Sequence, residues 1–420
     1  MKSVLKKIEN KIRITDIYFI GMLFFIIVSA YNCIRTNGIA LYDMLVPNYQ
    51  NHYWDLFTSI FYNFSGEPYE SGVVYPPGAN IICFCLSKFF PDELYFGGTN
   101  AMRDSQVGMV VMLWFILLTT IVLFVIVFRD YQGRSQDKFI FIITIIFSAP
   151  YIREITKMNI ITISIIFVYI FLLYKDDERP IFRWLAIGSL AVAVAIKIYP
   201  VFFGIYLLKD KKWKTAIQCI IAGILIFFVP FCLFGGVDSI FLMIKNIFNT
   251  TSIFNQSGLG FKIDITNTIN IIGELVGYNG NIRLIGTVFN YSFLLLGLVT
   301  FLGHTEKWKS IAILSLLTLS YPTFSNSYAI LIMIPALIAF LNSKPEINIL
   351  NLIYVILFVL LFAPMCFGGQ DIFPILSGVT RVNLFTFVES ISIIVMELLL
   401  IAEGGKNLIN QVRRKKESFS

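Results

Sequence analysis

Two groups of charged residues stand out in a chain that is otherwise strongly apolar. Between the first two apolar runs, Asn37 to Glu70 carry Asp43, Asp55, Glu67 and Glu70 without one lysine or arginine. A carboxylate with no cation beside it is free to act as a base or to contact hydroxyl groups. Asp55 is the most distinctive, because Tyr53, Trp54 and Phe57 flank it on a stretch able to form a helix at a membrane interface. A solvated acidic loop is the plainer reading, and it suits Asp43 and Glu70 better. Further on, Tyr151 to Asn159 place Arg153 and Lys157 at i and i+4, a spacing that stacks two cations on one helix face. Two cations together invite a phosphate; the bland alternative is that Arg153 pairs with Glu154 or snorkels to lipid headgroups. Lys197, in the run Ala195 to Pro200, adds a third cation. Only His52 and His304 are available beside six scattered cysteines, so no metal site is expected.

The elements that must position these residues are membrane helices. Of the 420 residues 57% are hydrophobic and 14% charged, and apolar runs recur too often for one soluble core to absorb them. The formal charge of +7 sits in short clusters between those runs, where it orients helices in a bilayer and argues against nucleic acid as a partner. Lys2 to Arg13 precede the first run, Ile17 to Ala30, which reads as a retained helix with its start in the cytoplasm. The loop after Arg35, about residues 35–75, is then outside. Later clusters at Arg129 to Lys138, Lys175 to Arg183, Lys209 to Lys214, Lys307 to Lys309 and Lys406 to Lys416 return to the first face, so both termini are cytoplasmic.

Several of those returns are too short for two full spans of about 20 residues each. They must turn inside the membrane, with Pro150 and Pro200 as the expected outer tips. That puts Lys197 at the tip of a hairpin on the noncytoplasmic side, where a lysine is disfavoured without a reason. Tyr75-Pro76-Pro77 opens a segment, ending near Phe90, that is either re-entrant or a tilted crossing. Further crossings fall near Thr215 to Phe234, Thr287 to Gly303, Ser310 to Leu341 as a short pair, Leu350 to Phe367 and Phe385 to Ile401. The expected fold is an all-α polytopic membrane protein of about 11 to 12 membrane helices, one integral domain over residues 1–420 with no soluble domain.

The order Asp55-Leu-Phe, Pro68-Tyr69, Tyr75-Pro-Pro, Arg153 through Asn159, Lys197-Ile-Tyr-Pro200, Asn255-Gln-Ser257 and the Tyr321 to Tyr328 turn resembles glycosyltransferase family 87 of the GT-C superfamily. The resemblance implies a GT-C-like bundle with short broken hairpins and a catalytic first outer loop. It implies an inverting transfer of a hexose, typically mannose, from a polyprenyl-phosphate carrier to a glycan or glycolipid acceptor on the outer face of the cell membrane. It also implies Asp55 as the catalytic base, with Asp43 as the fallback, and Arg153, Lys157 and Lys197 on the carrier phosphate. The Phe324 to Tyr328 turn has no histidine, so a histidine-assisted step does not carry over.

The chemistry can be stated independently. Displacing a lipid phosphate from a sugar carbon needs positive charge at the leaving group and a base beside the acceptor hydroxyl. The three cations and Asp55 supply these without a cofactor, the lipid-linked sugar being a substrate. Tyr75, Asn159, Asn255, Gln256 and Ser257 are candidate substrate contacts; helix-packing polarity is the alternative for each. The bilayer, the lipid-linked donor and the acceptor are the expected partners. The competing class is a transporter or flippase of a lipid-linked saccharide, for which Glu397 in the last apolar run would be the coupling residue. In an enzyme, Asp55 should face the same cavity as the cations without pairing to them.

Overall fold

The computed structural model describes residues 12–45, 52–254, 262–278, 280–322, 325–367, 373–374, 381–382 and 384–417. Among them the regular elements are helices, apart from one two-residue antiparallel pair, Phe373–Pro374 with Arg381–Val382, and an isolated antiparallel bridge between Lys262 and Asn326. The helices are α1 (Ile14–Arg35), α2 (Trp54–Asn63), α3 (Pro77–Ser87), α4 (Asp92–Phe96), α5 (Gly98–Arg103) and α6 (Gln106–Asp130). The bent pair α7 (Ser135–Ile146) and α8 (Ala149–Lys157) follows, then the short α9 (Ile161–Tyr174) and α10 (Pro180–Ile196). A 3-10 turn, Tyr199–Gly204, leads into α11 (Ile205–Lys209), before α12 (Trp213–Phe228) and α13 (Val237–Phe254). The rest comprises α14 (Ile265–Leu275), α15 (Ile282–Phe301), α16 (Lys307–Ser320), α17 (Ile334–Asn342), α18 (Ile349–Phe362) and α19 (Leu384–Glu417).

Five of these segments are long and apolar enough to cross a membrane, α7 and α8 reach that length and apolarity only together, across a 53° bend, and six shorter apolar helices accompany them. Their outward residues explain why: α6 exposes Leu113, Trp114, Leu117, Leu118, Ile121 and Val125 along one flank. A contiguous apolar surface of that kind is stable against lipid and not against water. Polar caps set the starts. Ser105 accepts from the Gly108 amide at 2.9 Å to open α6, and Asn348 from the Asn351 amide at 2.9 Å to open α18. The core lies in the middle of the bundle, where Trp308 to Ser320 of α16 and Ser327 to Leu341 are buried except for Lys309 and the half-buried Ala339.

The passes run between two faces. On the basic face Arg13 pairs with Asp137 at 3.1 Å, Lys175 with Asp210 at 2.7 Å and Lys309 with Glu403 at 2.6 Å, joining the ends of distant helices. At the far face Ser29 near the end of α1 donates to the Pro364 carbonyl at 2.7 Å, and Tyr69 stacks on Phe231 at 5.4 Å. The described residues between Thr36 and Asp104 stay at the far face. The 11-residue α3 is about 16 Å long, too short to cross by itself, and lies against α10. A side chain at Gly78 would meet the Ala195 carbonyl oxygen at 2.7 Å, which is why glycine stands there.

The two short hairpins are recessed. With 14 residues in α9 and 17 in α10, the helices span about 21 and 26 Å, against a hydrocarbon thickness of about 30 Å. Their far ends therefore stop short of the opposite surface. Pro150 and Pro200 both lie toward that end, as expected, but Pro150 is not the tip. It begins α8 beyond the 53° bend, a position where proline's missing amide hydrogen costs little. The tip is Met158-Asn159, where Met158 adopts a left-handed conformation, φ 54°, that terminates α8.

Candidate functional site

The end of α8, the start of α2, the lead into α3 and the residue after α10 meet at this recessed level. Tyr53, at φ 57°, donates its amide to the Thr156 carbonyl at 2.7 Å and so stitches the first turn of α2 to the last turn of α8. Asp55 lies in that first turn, where the unpaired amides of the helix terminus favour a negative charge. Asn159 organises the centre. Its Oδ1 accepts from the Ile161 amide at 3.0 Å, which turns Nδ2 inward to donate to Asp55 Oδ2 at 2.7 Å, the Tyr328 hydroxyl at 3.0 Å and the Tyr75 hydroxyl at 3.2 Å. Lys197, in extended backbone after α10, holds its ammonium 4.2 Å from the centre of the Tyr75 ring, an attraction to the electron-rich ring face. Burial, reinforced by the negative charge of Asp55, pushes the Tyr75 phenol above its usual range, so it remains neutral and available as a hydrogen-bonding group.

Lys157 Nζ stands 3.9 Å from Asp55 Oδ1, and the two side chains keep 18% and 21% of their surface exposed. The base candidate was expected to stand apart from the cations; it does not. The stitch from Tyr53 to Thr156 brings the two elements within reach of each other, and an unsubstituted carboxylate attracts the nearest ammonium. A second departure concerns Arg153, expected to converge with Lys157 and Lys197. It is buried, with its guanidinium 4.6 Å from the centre of the Phe385 ring on α19. Residues at i and i+4 still differ by about 40° around a helix, enough for a neighbouring helix to claim one of them.

Asp43 closes the 3-10 turn Ile39–Asp43. Asn255, Gln256 and Ser257 lie outside the described residues. Glu397 is wholly buried in α19 beside Ser320, away from the Asp55 cluster. Tyr328 was within a noted turn but not among the expected contacts, and Glu154 and Glu389 were not singled out as site residues. Glu154 is buried on α8 within the electrostatic reach of Asp55 and Lys197; its sequence signal was an acid between two cations in an apolar hairpin. The Lys262 to Asp264 strand edge was also missed. There the Ile263 amide donates to the Ser325 carbonyl at 3.0 Å, and burial pushes the Asp264 carboxyl up to about 7.

The fold and this cluster define a multi-pass membrane protein with a polar, partly exposed site recessed at one end of short broken helices. The Glycosyltransferase family 87 profile matches residues 74–364. The chain belongs to glycosyltransferase family 87 and is a membrane glycosyltransferase. Tyr75, Lys157, Asn159, Lys197 and Tyr328 fall inside the matched residues, and Asp55 precedes them. No curated protein and no solved structure matches the chain.

Proposed function

We propose that this transferase moves a hexose, typically mannose, from a polyprenyl-phosphate donor to a glycan or glycolipid acceptor, with inversion, at the noncytoplasmic face. The observation that carries the reading is the gathering of one carboxylate and two ammonium groups, Asp55 with Lys157 and Lys197, around Asn159 and Tyr75 at the recessed level. The basic face is the cytoplasmic one in this reading, as the distribution of lysine and arginine favours. The site then lies opposite to it.

Lys157 and Lys197 offset the negative charge that grows on the departing phosphate, where positioned cations stabilise a transition state most. Donor binding would also draw Lys157 from Asp55, since a phosphate competes for the same ammonium and leaves the carboxylate unpaired. Asn159 keeps Asp55 aimed while that happens. The acceptor hydroxyl attacks the anomeric carbon from the side opposite the phosphate, Asp55 takes its proton, and the bond from that carbon to the phosphate oxygen breaks. Arg153 in this scheme supports α8 from behind and does not touch the phosphate.

Transfer of radiolabelled sugar from a polyprenyl-phosphate donor tests the reading. Asp55→Asn keeps the shape but cannot take the proton, so turnover falls by about 100-fold or more, while donor binding persists. Near-normal turnover would remove Asp55 from the mechanism. Movement of the intact lipid-linked sugar across vesicles, without transfer, would favour the transporter class.

A further inference from the structure

The last helix does more than close the bundle. Glu389 on α19 is 1% exposed, and its Oε1 accepts from the Ser327 hydroxyl at 2.8 Å. One helical turn earlier on α19, the Phe385 ring centre lies 4.6 Å from the Arg153 guanidinium carbon. The last helix thereby touches two elements that are far apart in sequence, Ser327 through Glu389 and Arg153 through Phe385. Ser327 immediately precedes Tyr328, whose hydroxyl accepts from Asn159. Arg153 sits one turn before Lys157 on the helix that ends two residues before Asn159. Both contacts lead to the groups around Asp55.

We infer that Glu389 is a positioning residue for the transfer reaction, fixing through Ser327 the placement of Tyr328 against Asn159 beside Asp55. The inference rests on the proposed function for what that placement accomplishes. Its geometric part stands independently. A carboxyl group buried in an apolar bundle costs far more than an apolar residue of its size unless it is held by a hydrogen bond. Because misplacement of reacting groups by about 1 Å lowers rates by about 100-fold, a residue distant from the sugar can control turnover.

Three proteins decide the matter: wild type, Glu389→Gln and Glu389→Ala, each purified and compared at equal amounts of folded protein. The amide of Glu389→Gln retains an oxygen for the Ser327 hydroxyl and loses only the ionisable carboxyl. The alanine loses both. Expected are a fall in kcat of about 100-fold for Glu389→Ala, recovery of at least ten-fold of that loss in Glu389→Gln, and KM for the donor within about three-fold of wild type throughout. A merely structural role would lower the yield of folded protein and leave kcat per folded molecule unchanged, and that result overturns the inference. A structure of Glu389→Ala supplies the readout that does not depend on the assumed donor. Tyr328 and Asn159 should separate beyond hydrogen-bonding distance, and an unchanged pair would overturn the inference even if kcat fell. If wild type transfers nothing from any polyprenyl-phosphate sugar, the proposed function fails, and the variant structure still decides whether Glu389 positions the cluster.

Discussion

Asn159 holds the cluster together with one side chain, and its neighbours differ in how much they depend on it. Its amide nitrogen has two hydrogens and serves three oxygens, on Asp55, Tyr75 and Tyr328, so one contact is shared and can yield when substrate enters. Removing the whole amide is a different matter. Asn159→Ala leaves the Asp55 oxygen and two phenols to find new partners in a space with little water, at about 1 to 3 kcal/mol for each group left unsatisfied. Turnover should fall by at least ten-fold. Tyr75→Phe loses one shared hydrogen bond and keeps the ring under Lys197, so its loss should stay within about ten-fold, equivalent to about 1.4 kcal/mol. Radiolabelled transfer assays on both variants check this ordering, and a reversed order would mean that Tyr75, not Asn159, carries the geometry.

At the scale of elements, the close approach of α3 to α10 sets the depth of Tyr75. Gly78 permits it, because a Cβ there would meet the Ala195 carbonyl oxygen at 2.7 Å and the Ala195 Cβ at 3.0 Å. Backbone cannot rotate away as a side chain can. Gly78→Ala should therefore force α3 outward, destabilising the protein by about 1 to 3 kcal/mol and loosening Tyr75 over Lys197; a melting curve followed by tyrosine and tryptophan fluorescence measures the first effect. The recessed hairpins were legible in the sequence because basic clusters stood too close together for full spans, and the prolines marked their far halves. The true tip at Met158-Asn159 was not legible, since a left-handed methionine leaves no composition signal. Asp55, Lys157, Asn159 and Lys197 could be read from residue type and placement. Tyr328 and Glu389 could not be assigned their contacts, because the Asn159–Tyr328 bond links residues 169 apart and the Ser327–Glu389 bond residues 62 apart. Local spacing carries no information about such pairs. It also misdirected Arg153, which lies against Phe385 of the last helix.

The whole molecule separates two faces, and the proposed chemistry requires them to lie in a definite orientation. Lysine and arginine concentrate where α1, α7, α10 and α12 begin, and the Asp55 cluster occupies the other end of the same bundle. Both described ends of the chain lie at the basic face, because the last pass, α19, returns there to pair Glu403 with Lys309. If lipid-linked sugar is used outside the cytoplasm, exposed residues near the cluster must be reachable from outside. Ser65, between α2 and α3, is exposed at the far face, and Glu178, between α9 and α10, is exposed at the basic face. Each can be changed to cysteine in a background where Cys33, Cys85 and Cys232, the cysteines with accessible surface, are serine. A membrane-impermeant maleimide should label Ser65→Cys in intact cells and Glu178→Cys only after permeabilisation. The opposite pattern would place the Asp55 cluster in the cytoplasm, where a donor carried on the outer leaflet cannot reach it, and the proposed reaction would have to draw on a cytoplasmic sugar donor instead.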